Sequence, residues 1–218
     1  MVGHDISRTV RAESTRDRLL RVAEQLYAEH GLSEVSNRQV AEAAGQANTS
    51  AVAYHVGTKT DLILAIARGH TDAVTARARR MLDSVGGTTD PRDHVACLVR
   101  PYVDHLATLG TPSWCARFTA QITTDPAVRD LAIVAATSTP PMREALTKVS
   151  ESVSRIPAEV AALRATMIRL LIVHTCAEQE RDAADTGTAP DWPGVADALI
   201  DSCTAVLLAP VSRPQRST

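Results

Sequence analysis

The most constraining feature of this 218-residue chain is a run of helix signals in residues 16–66 that stop and restart at short intervals. The first signal is an apolar stripe at helical spacing that ends at Gly31, a residue suited to the left-handed conformation that closes a helix. A second helix is predicted over 37–44, between the N-cap hydroxyl of Ser36 and Gly45. The stripe of the first helix consists of Leu19, Val22, Ala23, Leu26, Tyr27 and His30.

Two more helices follow at once. Asn48 or Thr49 can cap a third, short helix that ends at Tyr54 or His55. The segment 58–61 reads Thr-Lys-Thr-Asp, which is an S/T-x-x-D start signal for a long fourth helix. Three short helices joined by tight turns and followed by a capped long helix are the build of a helix-turn-helix DNA-binding unit.

The third helix and the turn before it carry no acidic residue, because none occurs between Glu42 and Asp61. Phosphates flank the major groove of DNA, and base edges need hydrogen-bond donors and acceptors, so a polar helix without acids suits that groove. The predicted DNA contacts are Ser36, Asn37, Arg38, Gln46, Asn48, Thr49, Ser50, Tyr54, His55 and Lys59.

The positions that define this unit are Ala23, Tyr27, Gly31, Val40-Ala41, Ala44-Gly45, Tyr54-His55, Lys59 and Asp61-Leu62. In their order and spacing, residues 14–66 resemble the DNA-binding domain of the TetR/AcrR family of bacterial transcriptional regulators. Val56 stands where that family usually has phenylalanine, and the interval from Gly45 to Tyr54 is longer than in its commonest members. The resemblance implies an all-helical C-terminal domain that binds small molecules and forms dimers.

The rest of the chain reads as helices separated by proline and glycine. We therefore predict an all-α fold of about nine helices, with a helix-turn-helix DNA-binding domain at 14–58 and a helical effector-binding and dimerisation domain at 59–209. Residues 1–13 and 210–218 are predicted to be disordered. Pro140 and Pro141 must break or kink the helix that starts after Pro126, and Trp192 falls in a predicted surface loop.

The last two predicted helices, from Pro157 to about residue 184 and from Pro193 to residue 208, are unusually apolar. The first is apolar nearly all round over 167–176, which indicates a central helix or an interface. The family resemblance implies that both pair with their copies in a four-helix dimer bundle. The alternative is that they are ordinary core helices of a monomer.

Polar and large apolar residues on separate C-terminal helices are candidates to line a ligand cavity. Each of them could instead simply pack in the core. Because aromatic residues make up only 3% of the chain, the interior is mostly aliphatic, which favours an apolar or amphipathic effector over a stacked planar one. The candidates are Tyr102, His105, Trp114, Phe118, Gln121, Met142, Met167, Arg169 and His174.

Other classes of protein fit poorly. The sequence has no HExxH, GxSxG, GxxxxGK or GxGxxG motif, so no enzymatic activity and no cofactor are expected. The four cysteines stand singly without a CxxC pair, and no metal site is expected. We found no apolar run near 18 residues and no apolar leader, and expect a cytoplasmic protein without a membrane partner.

The sequence therefore predicts a one-component, ligand-responsive transcriptional regulator. It would bind a pseudo-palindromic double-stranded DNA operator as a homodimer, act as a repressor and be released by a small molecule. The alternatives are a helical protein-binding adaptor that has lost DNA binding, since the net charge is only −2, and a transcriptional activator.

Overall fold

The computed structural model describes residues 3–48, 50–154 and 156–211, with side chains described from residue 15 onward. Every regular element in these residues is an α-helix, and the all-α fold class is confirmed. There are ten helices rather than nine, because the chain breaks after Thr137 and Pro140 starts a new helix. They are α1 (Gly3–His30), α2 (Asn37–Ala43), α3 (Ala51–His55), α4 (Lys59–Ser84), α5 (Pro91–Ala107), α6 (Cys115–Thr124), α7 (Arg129–Thr137), α8 (Pro140–Ser152), α9 (Ala158–Thr186) and α10 (Trp192–Leu208).

Local capping explains where the short N-terminal helices begin. The Ser36 hydroxyl accepts a hydrogen bond from the Gln39 N–H, and the Gln39 side chain accepts one from the Ser36 N–H at 2.8 Å. This reciprocal pair satisfies two donors that the start of a helix leaves free. Gly45 then ends the second helix with φ +69°, and the Arg18 guanidinium of α1 lies 3.3 Å from where a Cβ would sit there.

The start of α4 is fixed by a second capping box. The Thr58 side chain accepts from the Asp61 N–H, and Asp61 accepts from the Thr58 N–H at 2.9 Å. Gly57 comes just before with φ +116°, and a Cβ there would sit 2.7 Å from the Asp61 carboxylate. Only glycine combines that conformation with that space. The helix has 26 residues, so it spans about 39 Å and runs from the N-terminal helices into the C-terminal ones.

The N-terminal hydrophobic core extends across the predicted domain boundary at 58/59. Leu19, Tyr27 and Val52 are fully buried in it, and so is Phe118 from α6. The Tyr27 and Phe118 rings stack with their centroids 6.3 Å apart. Because α6 contributes to this core, the N-terminal helices and the C-terminal helices share part of their packing. Val56 packs against the same core, whereas His30, predicted on the apolar stripe, is exposed.

A second core joins α5, α9 and α10, with Val95, Val99, Cys176, Ile200 and Cys203 buried at its centre. Burial raises the thiol pKa of Cys176 to about 12, and that of Cys203 to about 11. The thiols described here are free and stay protonated at neutral pH, so in this core they behave as small apolar side chains.

Two buried charged side chains on α9 bind the ends of neighbouring C-terminal helices through hydrogen bonds. Glu180 on α9 lies at the N-terminus of α6, where it accepts hydrogen bonds from the Ala116 and Arg117 N–H groups and from the Ser113 hydroxyl. Arg164, also on α9, donates to the carbonyls of Leu207 and Ala209 at the end of α10. Each charge sits at the helix end that the macrodipole favours.

Several sequence predictions are corrected here. Trp192 is buried and begins α10, because the Asp191 carboxylate caps that helix. The sixth helix starts at Cys115, three residues later than the Thr111-Pro112 signal suggested. The first helix begins at Gly3, and the disorder predicted for 1–13 stays a prediction; side chains 3–14, residues 1–2 and residues 212–218 lie outside the described residues. The prediction of disorder therefore stays untested for 212–218.

Residues 158–186 form a helix long and apolar enough to cross a membrane by length and composition alone. This differs from the expectation that no segment would meet that test. The helix carries Arg164 and Glu180 buried against other helices, as the core helix of a globular protein does. About a third of its most apolar window is buried, so much of its apolar surface is uncovered in the single chain.

Candidate functional site

The third helix stands out from the N-terminal unit. Tyr54 is 79% exposed, and its ring makes an edge contact with the His55 ring at 4.9 Å. The turn before the helix is ordered by Asn48, whose side-chain oxygen accepts from the Ser50 N–H at 2.9 Å. Ser50 takes the N-cap position without a side-chain cap bond, so its hydroxyl stays exposed. Thr49, the other predicted cap, lies outside the described residues.

Among the predicted DNA-contacting residues around α2, some side chains are exposed and others already interact within the chain. Arg38 is exposed but pairs with Glu42 at 2.8 Å, and this carboxylate raises the pKa of the guanidinium further. The Ser36 hydroxyl is engaged in capping. Asn37 has a buried side-chain oxygen without a hydrogen-bond partner among the described residues. Gln46 is half-buried, and its amide lies 3.5 Å from the Ala44 carbonyl.

The start of α4 offers a place for a phosphate beside α3. Its capping box occupies the N–H groups of Thr58 and Asp61, which leaves those of Lys59 and Thr60 without intrahelical partners. Hydrogen bonds from Thr58 hold the pKa of the Asp61 carboxyl below its usual range. The Lys59 ammonium lies 5.9 Å from the centre of the Tyr27 ring. The Lys59 ammonium group therefore lies between the buried Tyr27 ring and the protein surface.

The C-terminal helices enclose a cavity of about 200 Å³. Six helices, α4 to α9, contribute to its wall, which is mostly aliphatic with several threonine hydroxyls. It is lined by Ala67, His70, Thr71, Val74, Thr75, Leu98, Tyr102, Phe118, Thr119, Ile122, Thr123, Ala132, Ile133, Ala136, Thr137, Met142, Arg169, Ile172 and Val173.

Four of the predicted ligand residues line this cavity: Tyr102, Phe118, Met142 and Arg169. The other five lie elsewhere, as follows. Trp114 donates from its indole to Glu29 of α1 at 3.1 Å; Gln121 lies beside Gly31; Met167 and His174 are exposed on α9; and His105 is buried behind the cavity wall.

His105 belongs to a hydrogen-bonded chain of side chains between the two parts of the molecule. Its Nε2 lies 2.8 Å from Nδ1 of His70, whose Nε2 lies 2.9 Å from the Glu24 carboxylate on α1. Burial, then the charges of His70 and Arg77, lower the pKa of His105 to about 4. Cys115 lies close by, so that three possible ligand atoms lie within 4.8 Å of one another. The sequence gives no sign of this cluster, because its members come from three different helices, α4, α5 and α6.

Sequence reasoning also missed the contribution of α4 to the cavity wall. His70, Thr71, Val74 and Thr75 line it, at the spacing of one helix face. Two threonines on one face of an otherwise charged helix were an available signal. The sequence pattern of α4 is that of a helix connecting two domains, so sequence analysis predicts ligand residues only on the later helices.

The chain matches no protein-family model, and no curated protein is similar to it in sequence. In structure it is similar to the crystal structure of Mycobacterium smegmatis AmtR. The two share 18% sequence identity and a TM-score of 0.50 over 90% of this chain and 87% of that chain. The likeness establishes a TetR-like fold.

Proposed function

We propose that this chain is a one-component transcriptional regulator that binds a double-stranded DNA operator through α3. The observation that carries the proposal is the exposed, acid-free α3 on a helix-turn-helix frame, in a chain with a TetR-like fold. Ser50 and Tyr54 present hydroxyls there, and the N-terminus of α4 adds backbone donors. Such groups bind base edges and phosphates without needing a large positive charge.

The same proposal includes a homodimer formed by α9 and α10. Leu163, Met167 and Leu170 are exposed on α9 in line with His174, at intervals of four, three and four residues. That spacing is typical of a seam that packs against another helix. On α10, the exposed residues Ala198, Ser202 and Ala205 follow a similar interval and are small enough for close approach. A second copy would cover both faces and place two reading helices on one operator.

The cavity is the proposed effector site, and repression relieved by a small molecule is the proposed mode of action. Phe118 connects the two sites, because its side chain lines the cavity and also stacks on Tyr27 in the DNA-binding core. A ligand that prefers one position of α6 would thereby change the population of the DNA-binding conformation. Whether occupancy represses or activates transcription depends on where the operator lies.

Selection from random DNA duplexes, followed by affinity measurements at several salt concentrations, tests DNA binding. A regulator enriches a two-fold sequence and binds it with an affinity that falls as salt rises. Tyr54→Ala should weaken binding to operator and non-operator DNA alike, by about 1 kcal/mol for the removal of one hydrogen bond. Ser50→Ala should reduce preference for the operator, because removing one good hydrogen bond to a base edge costs roughly 1–3 kcal/mol.

Leu131→Ala, exposed on α7 and 53% accessible, is the matched control and should bind like the wild type. If no duplex is enriched and Tyr54→Ala behaves as Leu131→Ala does, the chain does not read DNA through α3. A helical protein-binding adaptor would then be the better account.

A further inference from the structure

Among the described residues, Arg169 is the one arginine or lysine on the cavity wall. Its Nη1 atom is buried and has no hydrogen-bond partner in that part of the chain. By contrast, Arg117 on α6 binds a carboxylate and the buried Arg164 on α9 binds helix-end carbonyls. A buried guanidinium nitrogen without a partner is costly, and a ligand that accepts its hydrogen bond would remove that cost.

The surroundings of Arg169 define what that partner must be. No aspartate or glutamate of the described ranges lines the cavity, and His70 on its wall is already paired with Glu24. The remaining wall consists of aliphatic side chains, Phe118, Tyr102 and threonines. An arginine in such a setting offers a planar fork of N–H donors that matches a carboxylate. The aliphatic wall offers room for an apolar body.

Tyr102 supplies a second donor on the same wall. Its hydroxyl is buried, and the nearby Thr119 hydroxyl, which donates to the Cys115 carbonyl at 2.7 Å, can still accept from it. Burial raises the pKa of Tyr102 well above its usual value, so the phenol keeps its proton at any physiological pH. Within the described part of the chain, the cavity thus holds one donor atom without a partner, Nη1 of Arg169, and no anionic acceptor, and a neutral hydrocarbon would leave that nitrogen unsatisfied.

We infer that the cavity binds a small aliphatic carboxylate, with its carboxylate on Arg169 and Tyr102 and its chain against Val74, Ile133 and Ile172. This inference rests on the proposed function only for its consequence, the release of DNA. Since the cavity measures about 200 Å³, short and medium chains fit it better than long lipids.

Calorimetric titration of the full chain with butanoate, hexanoate, octanoate and decanoate tests the inference. Each acid is paired with the alcohol of the same length, which keeps the apolar body and removes the charge. The wild type should bind at least one acid ten times or more tightly than its alcohol. Arg169→Met should abolish that preference, whereas Arg181→Met, exposed on the same helix, should preserve it.

Thermal unfolding provides a second measurement that a merely structural arginine would not reproduce. Without ligand, Arg169→Met should be at least as stable as the wild type, because a buried nitrogen without a partner has been removed. Saturating carboxylate should raise the melting temperature of the wild type more than that of the variant. Sedimentation of Arg169→Met should remain that of the wild type.

The inference is wrong if none of the acids binds the wild type at millimolar concentration. It is also wrong if Arg169→Met prefers acid to alcohol as strongly as the wild type does. Finally, dissociation of the Arg169→Met dimer would mean that Arg169 pairs across the subunit interface and not with a ligand. Failure of the proposed function looks different. If carboxylate binds through Arg169 but leaves operator affinity unchanged, the ligand class stands and the regulatory link does not.

Discussion

At the scale of single residues, Glu180 carries an unusual share of the fold. It is 2% exposed and accepts from two backbone N–H groups at the start of α6 while pairing with the Arg117 side chain at 3.5 Å. Glu180→Gln keeps the shape but removes the charge and turns one acceptor into a donor. We expect a loss of about 3 kcal/mol in the free energy of unfolding, measured by urea denaturation.

Glu178→Gln is the control for this change, since Glu178 lies half a turn away on α9, is exposed and pairs with Arg181. Its effect should stay within about 0.5 kcal/mol, as for other surface substitutions. Equal stability of the two variants would show that Glu180 does not hold α6 in place.

The buried His105 makes stability depend on pH in a defined direction. Its pKa is about 4 in the folded chain, against 6.5 for an ordinary histidine. Between these values the unfolded chain binds more protons, so the free energy of unfolding falls as pH is lowered from 6.5 to 4. This group contributes at most about 3 kcal/mol to that fall. His105→Asn should lack this contribution, so the difference in the free energy of unfolding between wild type and variant should shrink as the pH is lowered from 6.5 to 4. Curves of unfolding free energy against pH that run parallel for the two proteins would contradict the prediction.

At the scale of elements, α6 is the helix through which the cavity and the N-terminal core meet. Phe118→Leu keeps an apolar side chain but removes the ring that stacks on Tyr27, at a cost of about 1 kcal/mol in stability. We expect operator binding to persist while the effect of octanoate on operator affinity is reduced several-fold. Ile200→Val, buried in the core of α5, α9 and α10 and not on the cavity wall, should keep the full effect. The ratio of operator affinities with and without octanoate measures it.

The starts of helices could be predicted because their causes are local. Ser36, Thr58 and Asp90 each accept from an N–H two or three residues later, so the sequence shows both partners side by side. Trp114 was misplaced for the opposite reason. It precedes the first residue of α6 and turns toward Glu29, and only tertiary packing determines that. The same limit explains why four of nine proposed ligand residues line the cavity, whose wall needs the facing sides of six helices.

At the scale of the whole molecule, the proposed dimer needs a test on residues that the single chain leaves exposed. Leu171 and Leu199 also lie on α9 and α10, but Leu199 is buried in the core of the single chain and Leu171 packs against that core, so arginine there would test folding instead. Met167, 44% exposed on α9, probes the surface itself. Met167→Arg should give a folded monomer in sedimentation, with much weaker operator binding, because a charge would be buried at the interface.

Leu131→Arg on α7 is the control for the dimer test and should leave the oligomeric state unchanged. A Met167→Arg protein that remains dimeric and binds its operator as before would place the interface on another face. The apolar surface of α9 would then need a different cover.

The ring of Phe118 in the N-terminal core also bears on modularity. A reading unit cut at residue 58 would lose Phe118 and Ile122 from its own interior, since both are supplied from more than fifty residues further along the chain. A chimera that joins this unit to a foreign sensor would therefore have to bring α6 with it or find a substitute. The C-terminal half therefore cannot be exchanged freely, because the core of the N-terminal unit is incomplete without α6.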